Sequence, residues 1–228
     1  MSHSHEILIA IDGPSASGKS TVSRKVAEEL NFTYVDSGSF YRGFAWKAWK
    51  AGVSAKELPQ VRDLLEHIRM EFFVDHRAVR FTINGEDPYQ ELRSKPVVER
   101  VSDFAAIPEV RAYMVLKLQS MASFGQVVME GRDIGTVVFT DTPFKFYLDA
   151  DPHVRAKRRH REQENNDDVG DFNEVLKSLR RRDDKDTTRK MAPLQIAENA
   201  KVINTTSMSI DDVVQQIICK IKTAGFVP

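Results

Sequence analysis

The apolar run "ILIAI", Ile7–Ile11, leads directly into "GPSASGKST", Gly13 through Thr21, and a helical pattern follows to Leu30. A glycine, four residues, a second glycine, a lysine and then serine or threonine form a loop that works only between a strand and a helix. Gly13 and Gly18 let the chain curl, so that the loop from Gly13 through Pro14, Ser15, Ala16, Ser17 and Gly18 turns backbone N–H groups inward. Lys19 can reach the outer groups of a polyphosphate, the Ser20 hydroxyl can join a Mg²⁺ shell, and Thr21 completes the motif. The helix beginning near Lys19 adds its positive dipole end. A Gly/Ser-rich turn is the plain alternative, and the strand before and helix after it weigh against that. The chain is expected to bind nucleoside triphosphate.

The 228 residues suit one domain with a full core and room for insertions. Thirty-three basic and 33 acidic residues cancel, so no global charge points to nucleic acid or a membrane surface. No apolar run approaches a spanning helix, and "MSHSHEILIA" lacks a basic n-region and long apolar core. His3 and His5 read as a frayed terminus. The single cysteine, Cys219 in "VVQQIICKI", rules out a disulfide framework and reads as part of a buried helix face. These features predict a cytoplasmic chain, monomeric, with small-molecule partners and no nucleic acid or membrane partner.

Short apolar runs alternate with amphipathic stretches. Strands are predicted at Ile7–Ile11, Phe32–Asp36, Val127–Glu130, Phe144–Asp149 and Ala200–Asn204, and helices at Thr21–Leu30, Val110–Ala122, Phe172–Arg182 and Ile210–Lys222. This rhythm predicts an α/β fold with a parallel β-sheet flanked by helices, with ligands beyond the carboxyl ends of its strands.

Two segments break the rhythm. Arg69–Tyr89 alternates apolar and polar residues around the turn signal Asn84-Gly85, which predicts a small antiparallel element. Arg155–Lys190 carries two basic helical patterns joined by the polar tip "ENNDDVGD". A charged stretch is usually a solvated helix face, and Lys157, Arg161 and Lys177 fit that reading. Basic runs flanking a Gly-containing tip in a phosphate-handling chain instead predict a helical lid. Further charge clusters follow strand ends. In "DSGSFYR" Ser37 can cap a helix presenting Arg42, and "EGRDIGT" packs Glu130, Arg132 and Asp133 beside a glycine. "RRDDKDTTRKMAP" adds a third.

Taken together, "IDGPSASGKST", "VDSGSFYR", "EGRDIGTVVF", "LDAD" with its basic helix, and "RRDDKDTTRKMAPL" resemble, in order and spacing, the bacterial cytidylate kinases, a nucleoside monophosphate kinase family. The resemblance spans the chain and implies one kinase domain. Its core would cover about 1–60, 104–154 and 191–228, a small α+β monophosphate-binding insert about 61–103, and the lid about 155–190. It implies transfer of a phosphoryl group from ATP, with Mg²⁺, to CMP or dCMP. Arg42, Arg132 and Arg189 match positions that hold the acceptor phosphate. Ser102, Arg111 and Asp133 match those that read cytosine, and Ser37, Arg182 and Asp186 those that hold the pentose. Arg158 and Arg159 match lid arginines that, with Lys19 and Arg132, neutralise the transferring group. Two residues depart from the family pattern: Glu130 stands where many members have Asp, and Ser39 where Ala is usual.

A phosphate acceptor is already mostly ionised near neutral pH, so no general base is required, and none of the six histidines stands out as one. A kinase acting on UMP or on a hydroxyl-bearing metabolite explains the loop and lid but not the insert. A GTPase switch needs an Asn-Lys-x-Asp motif that the chain lacks, and a nucleic-acid binder fits poorly with zero net charge.

Overall fold

The computed structural model describes residues 7–164 and 171–225; the lid tip at 165–170, His3 and His5 lie outside them. Its strands are β1 (Leu8–Asp12), β2 (Thr33–Asp36), β3 (Met70–Asp75), β4 (Ala78–Ile83), β5 (Val127–Gly131), β6 (Phe144–Asp149) and β7 (Lys201–Asn204). They form one seven-stranded sheet in the order β3-β4-β2-β5-β1-β6-β7. The helices are α1 (Lys19–Leu30), α2 (Ser37–Lys50), α3 (Leu58–His67), α4 (Lys95–Ala105), α5 (Pro108–Gln119), α6 (Pro152–Glu164), α7 (Phe172–Thr188) and α8 (Ile210–Thr223).

Alternation along β1 distributes the core. Ile9 and Ile11 point to one face and pack with Val22 and Val26 of α1 and Val214 and Ile217 of α8. Ala10 points to the other, beneath Phe40 and Phe44 of α2, Phe104 of α4 and Met114 of α5. Both faces of the central strands are therefore covered, which explains why they read as continuous apolar runs. β1, β2, β5, β6 and β7 run parallel, and the register sets Ile11 opposite Glu130 and Asp36 opposite Glu130 on the other side. The carboxyl ends of β1, β2 and β5 thus meet at one edge, with the phosphate loop leaving β1 there.

The antiparallel element exists, but its turn is not where the sequence signal lay. β3 and β4 join through His76 and Arg77, whose φ angles are 44° and 61°, while Asn84-Gly85 makes a second turn after β4. Nor does the hairpin stand apart from the sheet. Tyr34 N–H donates to Arg77 O at 2.7 Å, which docks β4 alongside β2, so that the hairpin extends the main sheet. Three helix readings also change. Asp36, not Ser37, caps α2, accepting from Ser39 N–H at 3.1 Å. α7 continues six residues beyond Arg182, to Thr188, and so carries the cluster "DDKDTT" on a helix. Cys219 is exposed, because α8 buries Val214, Ile217, Ile218 and Ile221, and position 219 turns away from that stripe. Among the described residues no helix is long and apolar enough to cross a membrane.

Candidate functional site

The phosphate loop is shaped by two close approaches. Gly13 has φ 147°, and a Cβ there would lie 2.1 Å from Leu148 O of β6, so the loop can leave β1 only through glycine. Gly18, at φ 95°, forms the N-terminal cap of α1 without a side-chain bond, which leaves the first-turn amides of the helix to a ligand. Lys19 folds back inside the loop, and its ammonium donates to Pro14 O at 2.7 Å. Burial, followed by the charge of Arg132, pulls the Lys19 ammonium down to about 7. A cation held at such expense of solvation is set up to receive an anion.

A cavity of about 320 Å³ opens between this loop, the strand ends and the helices α2, α4 and α7. Ser15, Ala16, Gly18, Lys19, Ser20 and Thr21 line one end. Arg42, Arg132, Arg159, Arg182 and Arg189 line the cavity as well, with Ser37 and Asp186, and so do Ser102, Arg111 and Asp133. Residues far apart in sequence are thus brought together; Gly13, Pro14, Ser17 and Arg158 do not line the cavity.

The arginines are held in a carboxylate frame. Asp36 accepts from Arg42 at 2.6 Å, and Asp186 lies 2.8 Å from Arg132 Nε and 3.6 Å from Arg189 Nη1. Asp133, the neighbour of Arg132 in sequence, accepts from buried Arg111. The frame leaves donors over: Arg42 Nε, Arg111 Nε and Arg189 Nη2 are buried without a hydrogen-bond partner. Unsatisfied N–H groups around a cavity call for acceptor oxygens. At the centre, burial and the charge of Asp36 push the Glu130 carboxyl up, while Lys19, Ser20 and Tyr34 act to lower it. The Tyr34 hydroxyl donates to Glu130 at 2.6 Å.

A family model described as cytidylate kinase matches residues 9–223. The chain belongs to the cytidylate kinase family. It is 38% identical over 211 residues to a cytidylate kinase of Caldanaerobacter subterraneus subsp. tengcongensis, covering 92% of each chain. It is 40% identical over 214 residues to one of Pelotomaculum thermopropionicum, covering 93% of this chain and 95% of that one. The fold also resembles a solved structure of an uncharacterized protein from Eubacterium ventriosum, with TM-score 0.51 and 17% identity over 96% of this chain and 99% of that one.

Within this cytidylate kinase fold, several residues at the site carry no sequence signal. Tyr41 and Arg93 line the cavity, and Asp183 of α7 accepts from Arg155 at 2.5 Å and from Ser15 N–H at 3.4 Å. Helices α6 and α7 are thereby tied to the phosphate loop. Arg158 and Arg159, adjacent on α6, diverge as a helical turn of about 100° per residue requires. Arg158 donates to Ser17 O at 3.4 Å and Thr205 O at 2.6 Å, behind the loop, whereas Arg159 lines the cavity and meets Glu162 at 3.0 Å.

Asp12, at the end of β1, is buried and accepts from Ile134 N–H at 2.9 Å and Gly135 N–H at 2.8 Å. It thereby anchors the single π-helical turn Ile134–Val138 that follows Asp133. Burial outweighs those bonds and pushes its carboxyl from 3.8 up to about 6. Between these values the native state holds the proton more than the unfolded chain does, so stability falls as pH rises through that window. The full contribution is about 3 kcal/mol. Asp12→Asn should flatten this slope between pH 4 and 6. It should also cost about 1–3 kcal/mol at pH 4, because one amide loses its acceptor. Denaturant midpoints of both proteins across that range check it; parallel slopes would remove Asp12 as the titrating group.

Proposed function

We propose that this chain transfers the γ-phosphoryl group of ATP to CMP or dCMP, giving ADP and CDP or dCDP. The observation that carries the reading is one cavity bordered together by the phosphate loop, a framed set of arginines and the Arg111–Asp133 pair. Lys19 and Arg159 would serve the donor phosphates. Arg42, Arg132 and Arg189 would hold the acceptor phosphate through their remaining N–H groups, with Arg132 also facing the transferring group. Two polyanions that repel each other in water are brought in line, so positioning and charge neutralisation supply the rate. Ser37, Arg182 and Asp186 would receive the pentose. Burial brings the Arg182 guanidinium down to about 10, which leaves it cationic at neutral pH.

The site also fits Mg²⁺. The Ser20 hydroxyl and the Glu130 carboxylate are hard oxygen donors near Lys19, of the kind this ion takes alongside phosphate oxygens. When bound, the ion supplies charge neutralisation across the donor phosphates. Glu130 in place of the shorter Asp keeps that charge and reaches Tyr34.

A screen of nucleoside monophosphates for ADP formation tests the reading. CMP and dCMP should give the highest kcat/KM, and no turnover with CMP would sink it. The two lid arginines give a finer test. Arg159→Gln should lower kcat by about tenfold or more with little change in CMP affinity, because the charge it meets grows in the transition state. Arg158→Gln should chiefly raise the KM for ATP, because it loosens the back of the loop. Steady-state constants of the two single variants separate these effects, and identical profiles would count against the division.

A further inference from the structure

Behind the arginines of the first cavity lies a second, of about 430 Å³, between the start of α1, β2, the β3–β4 hairpin and the segment before α4. A volume of this order accommodates a ligand of nucleotide size. Its walls carry four arginines, Arg24, Arg42, Arg80 and Arg93, against two aspartates, Asp36 and Asp75. The aspartates are already engaged: Asp36 with Arg42 at 2.6 Å, and Asp75 with Arg80 at 3.2 Å. Among the described residues, Arg24 and Arg93 form no direct ion pair, and Arg93 meets Asp36 only through its longer-range charge.

One unmet donor lies on the cavity wall too: Arg80 Nε is buried without a hydrogen-bond partner. Each outer guanidinium rests on an aromatic ring that fixes its plane, Arg24 over Tyr34 at 4.6 Å and Arg80 over Tyr89 at 4.3 Å. Among the described residues the Arg24 fork has no hydrogen-bond partner and is left for an oxyanion, whereas both Arg80 Nη atoms meet carboxylates, Asp75 and Asp87, each at 3.2 Å, so that Arg80 offers its Nε alone. The hairpin adds a further sign. A two-residue turn of this left-handed shape ordinarily takes Asn-Gly, yet His76 and Arg77 occupy it, and His76 stands at the cavity wall.

We propose that this second cavity is a binding site for a small phosphate-bearing anion, held by Arg24, Arg80 and Arg93. It is separate from the site of phosphoryl transfer but shares a wall with it, since Asp36, Arg42 and Arg93 border both cavities. Any occupant therefore stands directly behind the side chain proposed to grip the acceptor phosphate.

Inorganic pyrophosphate is a suitable probe. Calorimetric titration would be run with saturating CMP and a non-hydrolysable ATP analogue, which fill the first cavity on the function proposed above. That requirement is itself visible, because failure of CMP to bind in the preceding titration would discredit the function and not the second site. With the first cavity filled, pyrophosphate should bind at one further site. Arg24→Glu, an exposed helical substitution that leaves the core untouched, should weaken that binding by tenfold or more, as loss of a charge-assisted contact predicts. Arg80→Gln should weaken it as well. Absence of a further site in the wild type, or a site whose affinity neither substitution changes, overturns the proposal.

Discussion

Replacing Lys19 with alanine is expected to lower kcat by on the order of 10²–10³ while the protein stays folded. Both halves of this expectation rest on the same geometry. The Lys19 ammonium is 5% exposed and is held inside the loop by Pro14 O, at the end of the cavity where the donor phosphates would lie. Removing it deletes a fixed positive charge from the place where charge grows during transfer. For stability the change is mild, because burial already disfavours this cation and, among the described residues, it hydrogen-bonds to one carbonyl oxygen of its own loop. The first helical turn keeps its cap at Gly18, and the core stripe of α1, Val22, Val26 and Leu30, is untouched. Turnover at saturating Mg·ATP and CMP, measured beside a thermal melt, checks both parts. Near wild-type turnover would mean that this loop is not the site of transfer.

The loop was legible because its function demands a fixed spacing within one strand-loop-helix unit, all of it local in sequence. The central strands were legible for a related reason: burial on both faces makes β1 and β5 apolar up to their carboxyl ends, where Asp12 and Glu130 stand. What escaped depends on contacts between distant segments. Asp12 reads as the polar end of a strand, and only the fold brings it to the amides of Ile134 and Gly135. Asp183 sits in a charge run just past Arg182, where the predicted helix ended. Three contacts instead draw that run into α7: the cap from Asp171 to Glu174 N–H, the packing of Val175 and Leu179 on Ala156, and the Leu194 N–H bond to Asp186 O. The hairpin turn was misplaced because His76-Arg77 lacks the glycine that such turns ordinarily show, while Asn84-Gly85 has it and serves a different turn. That the adjacent Arg158 and Arg159 point apart follows from a helical rotation of about 100° per residue and was legible; which of them reaches the cavity, Arg159, and which sits behind the loop, Arg158, depends on how α6 packs.

Asp133→Ala should erode the preference for CMP over UMP by roughly 5- to 150-fold, mainly through weaker use of CMP. Cytosine presents an amino donor where uracil presents a carbonyl acceptor. An ionised carboxylate only accepts, so Asp133 at that edge would favour cytosine and oppose uracil. One of its oxygens, Oδ2, is taken by Arg111, which leaves the second to the amino group. Ser102 can donate or accept, and Arg111, whose Nε lacks a protein partner, can serve a ring acceptor. The same pairing sets a second expectation. Both partners are buried, so the alanine variant strands a guanidinium without its counter-charge, which costs about 3–5 kcal/mol of stability. Assays must therefore run well below the melting temperature of the variant, and Asp133→Asn provides the control. It retains most of the volume, and its amide can turn either an oxygen or an NH₂ group toward the base, so it should accept UMP better than the wild type does. The deciding quantity is the ratio of kcat/KM for the two substrates. A ratio that shifts toward UMP in both variants identifies Asp133 as the cytosine reader. An equal fall for CMP and UMP would reduce it to a partner of Arg111.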